Sequence, residues 1–421
     1  MNSMRLMLTS AAALVAAVSS ARAADAIVAV EPEPMEYVRV CDTYGVGFYY
    51  IPGTETCLKV SGYIRMDIGA GAFGLTGVTD KQDDSPWWQD PQLNDTYDLR
   101  TRFQLRMDAR SETELGTLRA YAAVNFDYDT DAVRTDRYFN DDDFFTDTAD
   151  YVSIEHAYIE LAGFRVGKTD SLFSTFTGYG GGVINDDIIG YGPYGTHQIA
   201  YGWSNDSGFG AAVALEFGAG DLIAPFLPPP LAEIDLYALD SYVPHVVAGV
   251  GWHGAWGGVS VVAGYDSVWE QGAIKGRVDF YPTDRLALFA MAGWATYDKD
   301  RSSVEYFDFD DFTFRTVDTK DSPNYYAPWG RSWAVWAGGS YMLTDKATFN
   351  LQVSYDQMED FAVVANVAYE LVPNFVVTPE IAYIDNFDDD FSDWYDAATD
   401  GGDLISKNWG FFVRAQANFG G

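Results

Sequence analysis

Residues 97–109 read Tyr-Asp-Leu-Arg-Thr-Arg-Phe-Gln-Leu-Arg-Met-Asp-Ala. Odd positions carry Tyr97, Leu99, Thr101, Phe103, Leu105, Met107 and Ala109; even positions carry Asp98, Arg100, Arg102, Gln104, Arg106 and Asp108. Side chains alternate faces along a β-strand, so one face is apolar and the other is charged. The run exceeds the ~9–11 residues with which a tilted strand crosses a bilayer. Residues 117–128 follow the same rule. Leu118, Ala120, Ala122, Val124, Phe126 and Tyr128 share one face; Thr117, Arg119, Tyr121, Ala123, Asn125 and Asp127 share the other. Two such strands also fit a soluble sandwich with its polar side in water. Sixteen of them behind an export signal point to a membrane barrel.

The export signal lies at the start. Leu6 to Val18 is mostly apolar or small after Arg5, and Ala21-Arg22-Ala23 fits a small-x-small cleavage site. Residues 1–23 are therefore read as a secretory signal peptide, too short for a membrane helix. No later run approaches 18 apolar residues, which excludes a helical membrane protein. Removing the signal takes Arg5 and Arg22 and no acid, leaving 24 basic against 62 acidic residues. Non-specific nucleic-acid binding needs a cationic footprint and is excluded. Cys41 and Cys57 are the two cysteines of an exported chain, and oxidising compartments favour their pairing. Residues 24–56 are read as a proline-containing arm and a disulfide-pinned hairpin, and 57–421 as the barrel.

The alternation places strands at 58–68, 97–109, 117–128, 154–161, 164–168, 197–203, 209–217, 246–252, 259–265, 274–281, 286–295, 333–341, 347–356, 361–370, 375–383 and 409–419. The count is even, and long and short connections largely alternate, as tight periplasmic turns and long outer loops require. Two outer connections, near 266–272 and 357–360, are short. The expected fold is all-β, a 16-stranded antiparallel transmembrane β-barrel enclosing water, with its third outer loop folded inward.

That third loop, residues 169–196, differs from the others. It is aromatic and glycine-rich, with Phe173, Phe176, Tyr179 and Gly180-Gly181-Gly182, and it carries Asp170, Asp186 and Asp187. Arg65, Arg100, Arg102, Arg106 and Arg119 lie on lumen faces of the first three strands. Acid on one side and arginine on the other would set a transverse field across a constriction, favouring polar solutes. Each arginine has a competing reading as an ion pair within the wall, for example to Asp98 or Asp108. For Asp186 and Asp187 the competing reading is a solvated turn.

Residues 129–151 are read as a long acidic loop, and further acids crowd 296–331 and 388–390. Solvated charge that draws cations to the mouth is the first reading. Ca2+ or Mg2+ bridging to anionic lipid headgroups, lipopolysaccharide included, is the second. Asp127-x-Asp129-x-Asp131 resembles the start of a calcium loop, but Ala132 stands where its glycine belongs. Gly249-x-Gly251-x-x-Gly254 matches a dinucleotide fingerprint in spelling only, because a strand follows where a helix is needed. The four histidines lack zinc spacing, and His245 and His253 are read as rim residues. No GxSxG elbow occurs, so the chain is read as no enzyme, with no cofactor.

Residues 40–67, Val-Cys-Asp-Thr-Tyr-Gly-Val-Gly-Phe-Tyr-Tyr-Ile-Pro-Gly-Thr-Glu-Thr-Cys-Leu-Lys-Val-Ser-Gly-Tyr-Ile-Arg-Met-Asp, resemble the start of the mature domain of alphaproteobacterial, rhizobial-type general porins. Phe164-Arg-Val-Gly-Lys-Thr-Asp-Ser171 is similar to that family's junction between strand and constriction loop. The resemblance implies a trimeric outer-membrane barrel that admits small hydrophilic solutes and ions by passive diffusion, with residues 169–196 as its eyelet. Here Gly420-Gly421 follow Phe419, where such porins end on an aromatic. The alternative is a substrate-selective channel for sugars or one ion. It needs an aromatic track, for which Tyr63 and Tyr121 are too few.

Overall fold

Sixteen antiparallel strands carry the alternation and close on themselves. The structure is a computed structural model that describes residues 39–80, 82, 93–137, 141–218, 237–296, 303–308, 313–318, 324–386 and 409–420. The proposed signal peptide, most of the arm and the acids 388–390 lie outside the described residues.

In chain order the barrel strands are β1 Cys57–Gly71, β2 Asp98–Thr113, β3 Gly116–Arg137, β4 Asp141–Leu161, β5 Phe164–Asp170, β6 Gly195–Ser204, β7 Phe209–Glu216 and β8 His245–Gly254. They continue as β9 Gly257–Asp266, β10 Gln271–Thr283, β11 Leu286–Ala295, β12 Trp333–Thr344, β13 Ala347–Asp356, β14 Asp360–Val372, β15 Phe375–Asn386 and β16 Trp409–Phe419. Each pairs with its chain neighbour, and β16 pairs back onto β1 in the register Tyr63↔Asn418. Closure leaves no unpaired edge, which lipid would not tolerate. Among the described residues no helix is long and apolar enough to cross a membrane.

The solvent logic is inverted relative to a water-soluble domain. Ile64, Met66, Phe103, Met107 and Phe126 are exposed, whereas Asp67, Gln104, Asn125, Asp127, Gln352 and Glu380 are buried. An apolar outer band with polar side chains inside is the pattern a lipid surround selects. Exposed Trp203, Phe209, Trp256, Tyr281 and Tyr341 mark the end with the tight turns, and Tyr128, Tyr265, Trp294, Trp333 and Trp409 mark the other. Aromatic side chains settle at both membrane–water interfaces because one end is apolar and the other wet.

The connections near 266–272 and 357–360 are short, as expected. The region 129–151 is not a loop. β3 runs on to Arg137 and β4 begins at Asp141, with pairing continued through Asp129↔Ala149 to Arg137↔Asp141. Beyond the lipid both faces of a hairpin meet water, so its strands need no apolar face and the alternation that reveals a membrane strand disappears. Smaller hairpins in the outer connections, such as Ser303–Asp308 with Thr313–Asp318, were hidden for the same reason.

The packed core joins two outer connections to the barrel wall rather than one sheet to another. Phe173, Ile189 and Tyr191 of the third outer connection and Tyr325, Tyr326 and Trp329 of the sixth pack with Val247, Val262, Met291 and Trp336 from β8, β9, β11 and β12.

Candidate functional site

Arg65, Arg100, Arg102, Arg106 and Arg119 stand on polar faces of β1, β2 and β3, and the register brings Arg65 opposite Arg102. Most are tied to carboxylates of the same wall. Arg102 holds Asp127 through two hydrogen bonds, Arg100 holds Asp129 at 2.9 Å, and Arg65 approaches Asp67 at 3.2 Å. Arg119 bridges Asp108 and Glu160, both at 2.9 Å. Arg110 and Arg165 extend that chain at its two ends, at 2.8 and 2.7 Å. The ion-pair reading therefore holds for these four arginines. Arg106 differs: its Nε donates to Gln104, its guanidinium lies 5.4 Å from the Tyr63 ring centre, and it meets no carboxylate among the described residues.

β4 carries a local irregularity beside Arg106. Ala123 of β3 pairs with His156 and Val124 with Ile154, so Glu155 is an extra, bulged residue. A bulge re-aims side chains at the cost of one ladder position. Glu155 accepts from Asn125, and His156 Nδ1 lies 3.0 Å from Thr169 Oγ1.

Residues 171–194 connect β5 to β6 and begin with the short helix α1, Leu172–Thr177. Ser171 caps it, accepting from Phe173 N–H at 3.1 Å. Ser171 Oγ and Leu172 N–H donate to Glu216 at 2.8 and 2.7 Å, which ties the connection to the end of β7. Farther along, Gly181 N–H donates to Gln352 of β13 at 3.0 Å, and Gln352 returns a bond to the Asp186 carbonyl at 2.6 Å. Trp336 of β12 donates to the Ile189 carbonyl at 2.9 Å. Lys275 and Arg277 of β10 donate to the carbonyls of Tyr191 and Tyr179. Glu380 of β15 accepts from Ile184 N–H, from both the backbone and the side chain of Asn185, and from Asn366 of β14.

The three loop carboxylates each take a tyrosine hydroxyl. Tyr179 donates to Asp170, Tyr191 to Asp186 at 2.9 Å, and Tyr194 to Asp187 at 3.0 Å. No hydrogen bond or ion pair joins these carboxylates to the wall arginines among the described residues; the two sets stand apart. Asp186 also accepts from Gly180 N–H at 2.9 Å, so it is more than a solvated turn residue.

Glu216, Glu380, Gln352, Trp336 and Lys275 were not singled out from the sequence. Their only local mark is a polar or bulky residue on the face that alternation assigns to the inside. Cys41 and Cys57 form the expected disulfide. Its hairpin is held to β2: Tyr44 donates to Glu112 at 2.7 Å, and Arg110 lies over the Phe48 ring at 5.0 Å. His253 is exposed, whereas His245, the first residue of β8, is buried against Tyr325 and 3.4 Å from Asp266. Among the described residues no group of His, Cys, Asp or Glu is arranged to hold a metal. Asp127 and Asp129 belong to β3 and are engaged with Arg102 and Arg100.

A closed sixteen-stranded barrel with an apolar band outside and polar side chains inside defines an outer-membrane channel protein. The chain belongs to the Porin subfamily, whose family model matches residues 25–408. Porin Omp2a of Brucella ovis is 43% identical over 389 residues, covering 91% of this chain and 98% of that protein. Porin Omp2b of Brucella suis is 42% identical over 424 residues, spanning 100% of both chains. Among solved structures, the outer membrane channel DcaP of Acinetobacter baumannii aligns with a TM-score of 0.52 at 14% identity, covering 88% of this chain and 99% of that one. Salmonella typhi OmpF aligns with a TM-score of 0.52 at 10% identity, covering 87% and 98%. These two likenesses speak to fold alone. The protein is a bacterial outer-membrane porin that passes small solutes by passive diffusion, not an enzyme.

Proposed function

We propose that residues 169–196 form the constriction of this porin and that the wall of β1–β3 faces them across the water. The observation that carries this reading is the set of bonds from residues 179–191 to inward side chains of β10 and β12–β15. A connection hydrogen-bonded to lumen-facing groups on several strands narrows the channel they enclose. Asp170, Asp186 and Asp187 then bring negative charge to one side; on the other, Arg106 brings a positive charge that meets no carboxylate among the described residues, while Arg65, Arg100, Arg102 and Arg119 alternate with the carboxylates they pair. Hydrophilic solutes keep their hydrogen bonds in such a field, while apolar ones must disrupt ordered water.

The mature chain follows a signal peptide of residues 1–23 and assembles as a homotrimer. Contacts around β1 and β16 are supported by exposed rings that stack there, Phe103 with Phe126 at 5.6 Å and with Phe419 at 6.1 Å. The acidic outer connections face lipopolysaccharide, with Ca2+ or Mg2+ between the two sets of anions. The test is conductance of the purified protein in a planar bilayer under a salt gradient. Steps in groups of three with a linear current–voltage curve are expected. Their absence from folded, inserted protein would overturn the open-pore reading.

A further inference from the structure

We propose that Arg106, with the Tyr121–Tyr158 pair beneath it, forms a lumen subsite for planar aromatic carboxylates; this deepens the porin reading and rests on it. The first observation is the vacancy in ion pairing. Along β1 to β5, Arg65, Arg100, Arg102, Arg110, Arg119 and Arg165 each meet a carboxylate within 3.2 Å. Arg106 spends only its Nε, on Gln104, so both terminal nitrogens keep their donors among the described residues. Glu155, the bulged residue of β4, is engaged by Asn125. A guanidinium presents a fork that fits a carboxylate bidentately.

The second observation is aromatic. Tyr121 and Tyr158 stack with ring centres 5.2 Å apart and planes 29° apart. Arg119 lies over both rings, at 4.8 and 5.5 Å. Neither phenol hydroxyl has a hydrogen-bond partner among the described residues, in contrast with the tyrosines of residues 179–194.

The register joins the two parts. Arg106, Ala123 and His156 occupy one rung across β2, β3 and β4. Asp108, Tyr121 and Tyr158 occupy the rung two residues nearer the tight turns. Two residues of extended strand span about 6.7 Å, the scale of a benzoate ion. A carboxylate at Arg106 thus places an attached ring beside the tyrosine pair. The small Ala123 side chain separates Arg106 from His156 on that rung.

The test uses the purified full-length protein in planar bilayers, with benzoate, cyclohexanecarboxylate or acetate added to potassium chloride. Unaltered conductance steps in potassium chloride alone report the porin reading separately. Benzoate is expected to produce saturable excess current noise, with an apparent affinity about fivefold above that of cyclohexanecarboxylate, the share contributed by ring contacts. Arg106→Gln is expected to weaken benzoate about tenfold, and Tyr121→Leu with Tyr158→Leu to remove the preference over cyclohexanecarboxylate. Arg285→Gln, which removes an exposed arginine from the tight turn between β10 and β11, is expected to leave both unchanged. If Arg106→Gln fails to give steps, Arg106→Lys keeps the charge without the fork and is expected to weaken benzoate in its place. Equal noise from all three anions, or full benzoate affinity in the Arg106 variants, would overturn the subsite.

Discussion

Asp186 shows how one side chain of the third outer connection is tuned. Its carboxyl is pushed up to about 6, chiefly because burial strips water from the charged form; the Asp187 carboxylate adds to the shift, while hydrogen bonds from Tyr191 and Gly180 oppose it. An aspartate in an unfolded chain titrates near ~3.9. The native state therefore binds the proton more tightly, so this group's stabilising contribution is complete below ~3.9 and is lost as pH rises through about 6. Between pH 7 and pH 5 this carboxylate loses most of its negative charge. The reversal potential under a salt gradient is expected to move toward anions with a midpoint near pH 6, and Asp186→Asn is expected to abolish the movement. An unchanged titration in that variant would assign the effect elsewhere. The acid was visible in the sequence. Its environment was not, because Tyr191 and Gln352 reach it only after the chain has folded.

At the scale of the element, residues 171–194 are held by acceptors that belong to other strands. Glu380 receives Ile184, Asn185 and Asn366 and is 5% exposed, so Glu380→Ala would leave one buried and three part-buried donors without their acceptor. Each such loss costs roughly 1–3 kcal/mol, with partial relief where water enters. A net destabilisation of about 3 kcal/mol in denaturant unfolding and noisier open-channel current are expected. Quiet current at full conductance would mean that the other anchors suffice. Gly181 offers a steric version of the same experiment. A Cβ there meets the Phe289 ring, and the neighbouring Gly182 has φ +81°, a region that disfavours side chains. Gly181→Val is expected to lift the segment off the β11 wall and lower single-channel conductance. The strands themselves were legible in the sequence wherever lipid touches one face, down to strand ends within a few residues. The extensions of β3 and β4 between 129 and 151 were not, because water on both faces removes the two-residue period.

For the whole molecule, the ring of strands and the disulfide-pinned hairpin do separate jobs. β1 pairs with both β2 and β16, so the barrel is closed without help from Cys41–Cys57. Cross-linking across a 16-residue separation is worth about 3 kcal/mol in the chain-entropy model. Replacing both cysteines by serine is expected to preserve conductance and to lower the temperature at which the folded form loses its compact mobility on SDS gels. Loss of conductance instead would show that the hairpin, through Tyr44–Glu112 and Arg110, helps to shape the wall.

The amino-acid sequence alone determined the even set of strands, the face each strand turns to lipid and the identity of the charged wall. All of these are local properties: a period of two, and turns between neighbours. Only the tertiary structure decided which arginines are neutralised and that Arg106 meets no carboxylate among the described residues, where the Glu155 bulge falls, and how residues 171–194 are held. Those outcomes depend on contacts such as Gly181 with Gln352, 171 residues apart. No local period encodes such a contact, because barrel closure, not sequence neighbourhood, brings the two groups within reach.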